Sequence, residues 1–210
     1  LTLAALKKYG IKVVNNNYKT FTVPGGQKYQ CRSAVVEGDW SQAAFWLAAG
    51  CLNGNVICAG AEAASLQGDR AVKDILQAMG GKISAADGGL LAETSRLHGT
   101  VIDAADCPDI IPVLTVAAAV AEGTTEIINA GRLRIKECDR LHAISEELNK
   151  LGADVEEKAE SLIVRGKPEG LRGGVVSAWN DHRIAMSMAV ASLGCREPVI
   201  IEGSESVKKS

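Results

Sequence analysis

Hydrophobic and polar positions along the chain follow one pattern three times. The end of an amphipathic helix, a glycine and a short strand are indicated at residues 6–13, 76–83 and 148–155, at spacings of 70 and 72 residues. A glycine directly after the last apolar position of a helix is the usual mark of a helix that ends there. The pattern therefore predicts an internal three-fold repeat.

Residues 33–93 predict one complete repeat, in the order strand, helix, strand, helix, strand, strand. The predicted elements are a strand at 33–36, an apolar helix at 41–52 with Asp39 as its N-cap, a strand at 56–59, a second helix at 69–79, and two strands at 82–85 and 90–93 joined by a tight turn. The second copy runs from about residue 100 to residue 165, and the third begins near Val175.

The two helices of each repeat differ in kind. The first is apolar almost all round, at 43–49, 110–121 and 184–193, which is typical of a helix buried on every side. The second carries a single apolar stripe among charged residues and should be half exposed. We therefore predict an α/β (α+β) domain of the inside-out kind, with pseudo-three-fold symmetry, buried helices at the centre and sheets outside.

The repeat also predicts how the chain is divided. Residues 1–32 would complete a repeat that begins further upstream, and they include a glycine-rich stretch expected to be an interdomain hinge. Residues 33–210 are expected to form the C-terminal domain, with two full repeats and most of a third. The chain is interpreted as a fragment of a longer protein.

Composition excludes several classes of protein. Apolar residues make up 47% of the 210 residues, which is typical of a globular chain. The net charge of −2 argues against a nucleic-acid surface, and no uninterrupted apolar run is long enough for a membrane span. The six cysteines are scattered without the spacing of a metal site, which favours reduced thiols in a cytoplasmic protein.

The densest group of charges is Arg134-Ile-Lys-Glu-Cys-Asp-Arg140, immediately before the stripe of the second helix in the second repeat. A solvated helix start explains Glu137 and Asp139, because acidic residues are favoured there by the helix dipole. It does not explain Arg134, Lys136 and Arg140, because cations are mildly unfavourable at that end. Three cations at one helix start suggest a bound anion, and the two interpretations are evenly balanced on the residues alone.

A second group, Asn180-Asp-His-Arg183, opens the most apolar late segment. Asp181 can cap that helix. Arg183 falls in the first turn of a helix otherwise buried all round, so its charge must be paired or must reach a cleft. A cleft is the favoured interpretation, and His182 alone is too weak an indication to use.

Asp109 and the C-terminal lysines are ambiguous by position. Asp109 precedes the apolar run 110–121, and capping is the simplest explanation of it, as it is for Asp39, which has no cationic neighbours in sequence. Lys208 and Lys209 would ordinarily be a charged tail. The repeat, however, places Lys209 near the helix-start position that Arg140 holds in the preceding copy.

These motifs resemble those of the 5-enolpyruvylshikimate-3-phosphate synthase (3-phosphoshikimate 1-carboxyvinyltransferase) family. The resemblance is carried by Lys136-Glu-Cys-Asp-Arg140, Asn180-Asp-His-Arg-Ile-Ala-Met186, Lys209-Ser, Val36-Glu-Gly-Asp39-Trp-Ser and Leu66-Gln-Gly-Asp69. It covers essentially the whole chain, as the C-terminal half of a protein about twice as long.

The resemblance implies an enzyme with two such domains that close on substrates in the cleft between them. The enolpyruvyl group of phosphoenolpyruvate would move to the 5-hydroxyl of shikimate 3-phosphate, and phosphate would be released. No metal or organic cofactor is implied. The implied partners are these two small molecules and the N-terminal domain of the same protein, with no nucleic acid and no membrane. The fragment alone is expected to be inactive.

Roles for single residues follow from the same resemblance. Asp109 is implied as the general base near the shikimate hydroxyl, and Glu137 as the proton-transfer partner at the enolpyruvyl carbon. Lys136 would contact the shikimate moiety. The residues implied to hold phosphoenolpyruvate are Arg140, Arg183 and Lys209, and His182 is implied only as a supporting neighbour. Arg132 stands where some members carry an asparagine that contacts the shikimate phosphate, so its role stays open.

Two alternatives remain. One is the sister enzyme that transfers enolpyruvate to UDP-N-acetylglucosamine, which shares the fold but lacks the block from Lys136 to Arg140. The other is a non-catalytic anion-binding or scaffold domain built on the same repeats.

Overall fold

The computed structural model describes residues 1–209, except for the side chain of Lys209. The helices of this part of the chain are α1 (Thr2–Lys8), α2 (Trp40–Asn53), α3 (Ala71–Ala78), α4 (Ile111–Ala119), α5 (Arg140–Lys150) and α6 (His182–Ala191). The strands are β1 (Val14–Asn16), β2 (Thr20–Thr22), β3 (Asn55–Ala59), β4 (Lys82–Ala86), β5 (Gly89–Glu93), β6 (Val101–Asp103), β7 (Thr124–Ile128), β8 (Val155–Glu157), β9 (Leu162–Arg165), β10 (Gly174–Ser177) and β11 (Val199–Glu202).

The chain divides into two compact units, Leu1–Glu37 and Gly38–Ser210. The first holds α1 and the antiparallel hairpin β1–β2. The second holds the remaining elements and all of the charged motifs except the C-terminal lysine side chain that the structure leaves undescribed. The candidate site residues therefore all belong to the second unit.

The three predicted glycine stops share one backbone geometry. Gly10, Gly80 and Gly152 have φ values of 81°, 92° and 89°. Each donates its N–H to the carbonyl three residues earlier, and the next residue donates to the carbonyl five residues earlier, to Leu6, Leu76 and Leu148 respectively. This is the Schellman pattern, which a glycine adopts without steric cost. The repeat predicted from the hydrophobic pattern is thus present in the backbone.

The sheets follow the same repeat along the chain as the helices. In the first repeat β3, β5 and β4 form an antiparallel sheet in that order, and in the second β7, β9 and β8 do the same with β6 added in parallel beside β7. In the third, β10 and β11 pair in parallel with Ser177 opposite Glu202, as Asp103 lies opposite Ile128 in the second. The architecture matches the predicted arrangement of buried helices with sheets outside them.

The predicted strand at 33–36 is wrong. No strand forms over these residues in the described part of the chain, and the side chains of Val35 and Val36 are exposed. The first strands of the other two repeats each form because a parallel neighbour completes their hydrogen bonds. A run of apolar residues is not enough to form a strand unless such a partner is present.

The central helices form the core with one exception. Every residue of α4 is buried, and most of α2 and α6 is buried as well. Trp46 on α2 is 62% exposed, so α2 is not buried on every side as its composition predicts. In α5 the predicted apolar stripe faces the core, because Leu141, Ile144 and Leu148 are fully buried.

Among the described residues, no helix is both long and apolar enough to cross a membrane. The longest, α2, has 14 residues.

Candidate active site

Four helix N-termini meet at one end of the second unit. The starts of α2, α4, α5 and α6 are joined there by side-chain hydrogen bonds between Ser41, Asp109, Arg140, Asp181 and Arg183. The N-terminal end of a helix carries a partial positive charge and unsatisfied N–H groups. Several such ends directed at one region favour an anionic ligand there.

Arg140 is the hub of this region. Its side chain is 1% exposed, and its guanidinium contacts three carboxylates. Nε donates to Asp181 at 2.7 Å, Nη1 to Asp109 at 2.9 Å, and Nη2 to both Glu137 and Asp181. Four of the five N–H donors of an arginine are used by these bonds. Arg140 is therefore held rigidly, and it fixes the positions of both carboxylates that the family resemblance selects.

Asp109 does not cap a helix, although its position favours that interpretation. It lies in a 3-10 turn, Pro108–Ile110, and α4 begins after it without a side-chain cap. Its carboxylate accepts from Lys136 Nζ and Arg140 Nη1, both at 2.9 Å. Burial would raise the pKa of Asp109, but the hydrogen bond from Lys136 and the charges of Arg183, Lys136 and Arg140 together hold it below its ordinary value. Asp109 is thus kept ionised, and its side chain is 31% exposed.

Arg183 lies beside Asp109 and is bound across the repeats. Its Nη2 atom donates to Ser41 Oγ at 3.1 Å and lies 3.6 Å from Asp109 Oδ2, while Nη1 donates to the carbonyl of Asp109 at 3.3 Å. Ser41 Oγ in turn donates to Asp39 Oδ1 at 2.7 Å. Asp39 caps α2 through the N–H of Ser41, as predicted, and through this hydroxyl it also supports a cation of the site.

Asp181 has the predicted role of helix cap and a second role as the partner of Arg140. Its side chain is fully buried, and Oδ1 accepts from the N–H of Arg183 at 2.8 Å. Burial would raise the pKa of Asp181, but the hydrogen bond and charge of Arg140 lower it below the usual range. The cap of α6 and the start of α5 are therefore joined by one buried ion pair.

His182 is placed next to these groups without a hydrogen bond to any described residue at Nδ1. Its Nδ1 lies 4.0 Å from Asp181 Oδ1. Burial, assisted by the charge of Arg183, lowers the pKa of His182, so the imidazole is neutral at pH 7. A neutral imidazole here fits a supporting position.

Glu137 is the most open member of the group, with a side chain that is 47% exposed. It lies between the 3-10 turn Gly131–Ile135 and α5, and Arg140 holds its carboxylate. With Lys136 it lines the accessible side of the cluster, whereas Arg140 and Asp181 lie behind them. Two carboxylates, one of them ionised and partly exposed, therefore adjoin three cations, which suits proton transfer on an anionic substrate.

Not every predicted cation takes part. Arg134, counted with Lys136 and Arg140 as an anion-binding group, is paired instead with Asp139 and Glu157, each at 2.8 Å. It also donates to the carbonyls of Lys158 and Ala159. Arg134 therefore fastens the segment before α5 to strand β8 and the turn that follows it, and these contacts account for its charge without a bound anion.

Arg132 and Lys209 are the two remaining candidate cations. Arg132 is exposed and donates to the carbonyl of Ala105 at 3.3 Å. The side chain of Lys209, which the family resemblance implies at the phosphoenolpyruvate site, lies outside the described residues.

Sequence reasoning missed Asp69 and Ser41. Burial and the charges of Asp109 and Asp39 raise the pKa of Asp69 to about 6, against the opposing charges of Arg183 and Lys136. The repeat offered an indication, because Asp69-Arg70 corresponds to Asp139-Arg140 one period later. Ser41 ends the motif Val36-Glu-Gly-Asp39-Trp-Ser, but a serine at the second position of a helix is ordinary and does not predict a contact with Arg183.

No group of three or more His, Cys, Asp or Glu side chains within residues 1–209 is arranged to hold a metal ion. The chemistry of the cluster is that of carboxylates and cations.

Comparison with known proteins agrees with this geometry. The family model described as EPSP synthase (3-phosphoshikimate 1-carboxyvinyltransferase) matches residues 1–210. A 3-phosphoshikimate 1-carboxyvinyltransferase of Clostridium acetobutylicum is 53% identical over 210 residues, which are 100% of this chain and 48% of that protein. One of Clostridioides difficile is 51% identical over 211 residues, with 100% of this chain and 48% of that protein covered.

A solved structure of EPSP synthase from Acinetobacter baumannii superposes with a TM-score of 0.82 at 28% sequence identity. The match covers 98% of this chain and 50% of that one. The chain spans about half the length of the curated relatives it matches.

Proposed function

Since the chain belongs to the EPSP synthase family, we propose that it supplies one half of the active site of a 3-phosphoshikimate 1-carboxyvinyltransferase. The reaction transfers the enolpyruvyl group of phosphoenolpyruvate to the 5-hydroxyl of shikimate 3-phosphate and releases phosphate. The observation that supports this most strongly is the arrangement of Asp109 and Glu137 on one buried arginine, with Lys136 and Arg183 alongside.

The chemistry of that reaction needs two proton transfers. The attacking hydroxyl loses a proton as its oxygen bonds to the enol carbon, and the methylene carbon gains one, which gives a tetrahedral ketal phosphate. Phosphate then leaves with its bonding electrons, and the new methyl group returns a proton. Asp109 is kept ionised by Lys136 and Arg140, which is the form that a general base needs. Glu137 is assigned as the group that donates a proton to the methylene carbon and later takes one back from the methyl group.

The cations are assigned to the negative charges of the substrates. Lys136 serves the shikimate moiety, and Arg140, Arg183 and Lys209 serve phosphoenolpyruvate, with His182 as a supporting neighbour. In the free chain Glu137 occupies Arg140 Nη2. A substrate carboxylate that approaches this guanidinium displaces Glu137 and releases it for proton transfer. Binding and activation of the acid are thereby coupled.

We also propose how the chain is divided between domains of the whole protein. Residues 1–32 are assigned as the end of an upstream repeat and an interdomain hinge, and residues 33–210 as the C-terminal domain. The remaining substrate ligands belong to the half of the protein that the relatives possess beyond the matched region, so the 210-residue chain alone is assigned no turnover.

The substitution Glu137→Gln in the full-length protein tests the catalytic assignment. Glutamine keeps the size of the side chain but cannot exchange a proton, so kcat should fall by about 100-fold or more. Release of phosphate from phosphoenolpyruvate in the presence of shikimate 3-phosphate measures it. The matched control is Glu126→Gln, an exposed carboxylate of β7, which should leave the rate unchanged.

A loss below threefold for Glu137→Gln would count against this role for Glu137. A wild-type protein that transfers enolpyruvate to UDP-N-acetylglucosamine instead identifies the sister activity. A wild-type protein that transfers to neither acceptor but binds phosphate supports the scaffold alternative.

A further inference from the structure

Glu147 is a fully buried carboxylate with no part in the chemistry described so far. It lies two turns into α5, on the face that packs against the core. A buried carboxylate is costly unless it is fully hydrogen-bonded, and replacement of buried charged groups by well-packed apolar residues is often neutral or stabilising. The stability of the core therefore does not explain why a glutamate occupies this position.

The hydrogen bonds of Glu147 go mainly to one short segment. Oε2 accepts from the N–H of Ser177 at 2.9 Å, and Oε1 accepts from Trp179 Nε1 at 2.6 Å and from Lys150 Nζ at 2.9 Å. Ser177 is the last residue of β10, and Trp179 lies in the turn that leads from β10 into α6. Glu147 therefore binds the backbone at the end of the strand and a side chain of the turn that precedes Asp181 and Arg183.

The backbone of this turn is strained. Trp179 and Asn180 have φ values of 52° and 53°, in the left-handed region that residues other than glycine rarely adopt. Such a conformation is costly for a residue other than glycine and persists only where its surroundings enforce it. Ser177 Oγ accepts from the N–H of Trp179 at 3.1 Å, so the residue that Glu147 binds also holds the first left-handed residue.

One face of α5 holds the segment at both ends. Arg140 and Glu147 are seven residues apart, which is about two helical turns, so their side chains lie on the same side of the helix. Glu147 binds Ser177 and Trp179 at the start of the turn, and Arg140 binds Asp181 at its end. The position of Arg183, two residues beyond Asp181, depends on both attachments.

We propose that Glu147 is a positioning residue, which holds the segment 177–181, with its two left-handed residues, so that Asp181 meets Arg140 and Arg183 meets Asp109 at the anion site. This inference rests on the proposed function, because Arg183 and Arg140 are assigned there to phosphoenolpyruvate. Glu147 acts through the turn and contacts no substrate.

The test compares Glu147→Gln with Glu146→Gln in the full-length protein. Both glutamates bind Lys150, but the side chain of Glu146 is partly exposed and is not hydrogen-bonded to the turn. The amide introduced by Glu147→Gln would present an NH₂ group to Ser177 on one side or to Trp179 and Lys150 on the other, so at least one hydrogen bond is lost. We expect the KM for phosphoenolpyruvate to rise about tenfold while the KM for shikimate 3-phosphate stays within about twofold. Glu146→Gln should change neither.

Two further measurements separate positioning from general loss of structure. Trp179→Phe removes the indole donor, so it should raise the KM for phosphoenolpyruvate in the same way, and the double variant should be no worse than the worse single variant. Inorganic phosphate binding, followed by NMR at the backbone N–H of Arg183, should weaken in Glu147→Gln and not in Glu146→Gln.

The phosphate measurement tests the inference even if the wild-type protein shows no enolpyruvyl transfer, which would overturn the proposed function alone. Equal behaviour of the two glutamate variants in phosphate binding overturns the role of Glu147. So does an equal rise in both KM values, or additive effects of Glu147→Gln and Trp179→Phe.

Discussion

Asp39 and Asp109 precede equivalent helices of two repeats, α2 and α4, but have different roles. Asp39 accepts the N–H of Ser41 and so caps α2. Asp109 lies within a 3-10 turn instead, which turns its carboxylate to Lys136 and Arg140. Because of this 3-10 turn, Asp109 is available for chemistry, whereas Asp39 has a structural role.

The single residue Asp69 should make the stability of the protein depend on pH. Its pKa is raised to about 6, chiefly by burial and then by Asp109, so the folded protein holds this proton more tightly than the unfolded chain does. Stability must then fall as pH rises from about 4 to about 6 and stay reduced above that window. Asparagine at this position removes the titration, so Asp69→Asn should stabilise the protein at pH 7.5 more than at pH 4.5.

Urea unfolding at the two pH values measures the effect of this substitution. Asp74→Asn, at an exposed position of α3, is the control and should show no such difference between the two pH values. A gain for Asp69→Asn that is equal at both pH values would contradict the prediction.

At the scale of elements, the ion pair between Arg140 and Asp181 joins α5 to α6 inside the protein. Both side chains are at most 1% exposed. Removal of one charge from a buried pair leaves the other uncompensated, which typically costs about 3–5 kcal/mol. We therefore expect Asp181→Asn to lower the free energy of unfolding by roughly that amount.

Asp39→Asn is a matched control, because Asp39 caps its helix in the same way and contacts an arginine only indirectly, through the hydroxyl of Ser41. Asparagine is as good an N-cap as aspartate, so the loss there should stay below about 1 kcal/mol. Chemical denaturation of both variants measures the difference. Equal losses would show that the cap, and not the ion pair, carries the contribution of Asp181.

At the scale of the whole molecule, the 210-residue chain should fold but not turn over. It holds Asp109, Glu137 and three cations, whereas its relatives are about twice as long. We expect no enolpyruvyl transfer by the pure chain, together with phosphate-induced NMR shifts at residues 136–140 and Arg183. Turnover by the chain, free of contaminating enzyme, would contradict the assignment of a half-site.

Sequence patterns predicted the repeat and the fold class because periodicity and glycine stops are local properties. The same reasoning failed for residues 33–36, where strand formation depends on a partner, and for Trp46, where burial depends on what covers the helix. It placed the charged motifs together through a family resemblance. The pairing of Arg134 with Glu157 and of Glu147 with Trp179 could not be predicted, because each joins side chains brought together only by the fold.

The ion pairs around Arg140 have a consequence for how substrates arrive. Lys136, Arg140 and Arg183 contribute three positive charges, and Asp109, Glu137 and Asp181 contribute three negative ones. These six side chains therefore sum to zero and produce little field beyond a Debye length. Long-range electrostatic steering of a multiply charged anion requires a net positive cleft. These six side chains alone therefore cannot speed the capture of a substrate from a distance.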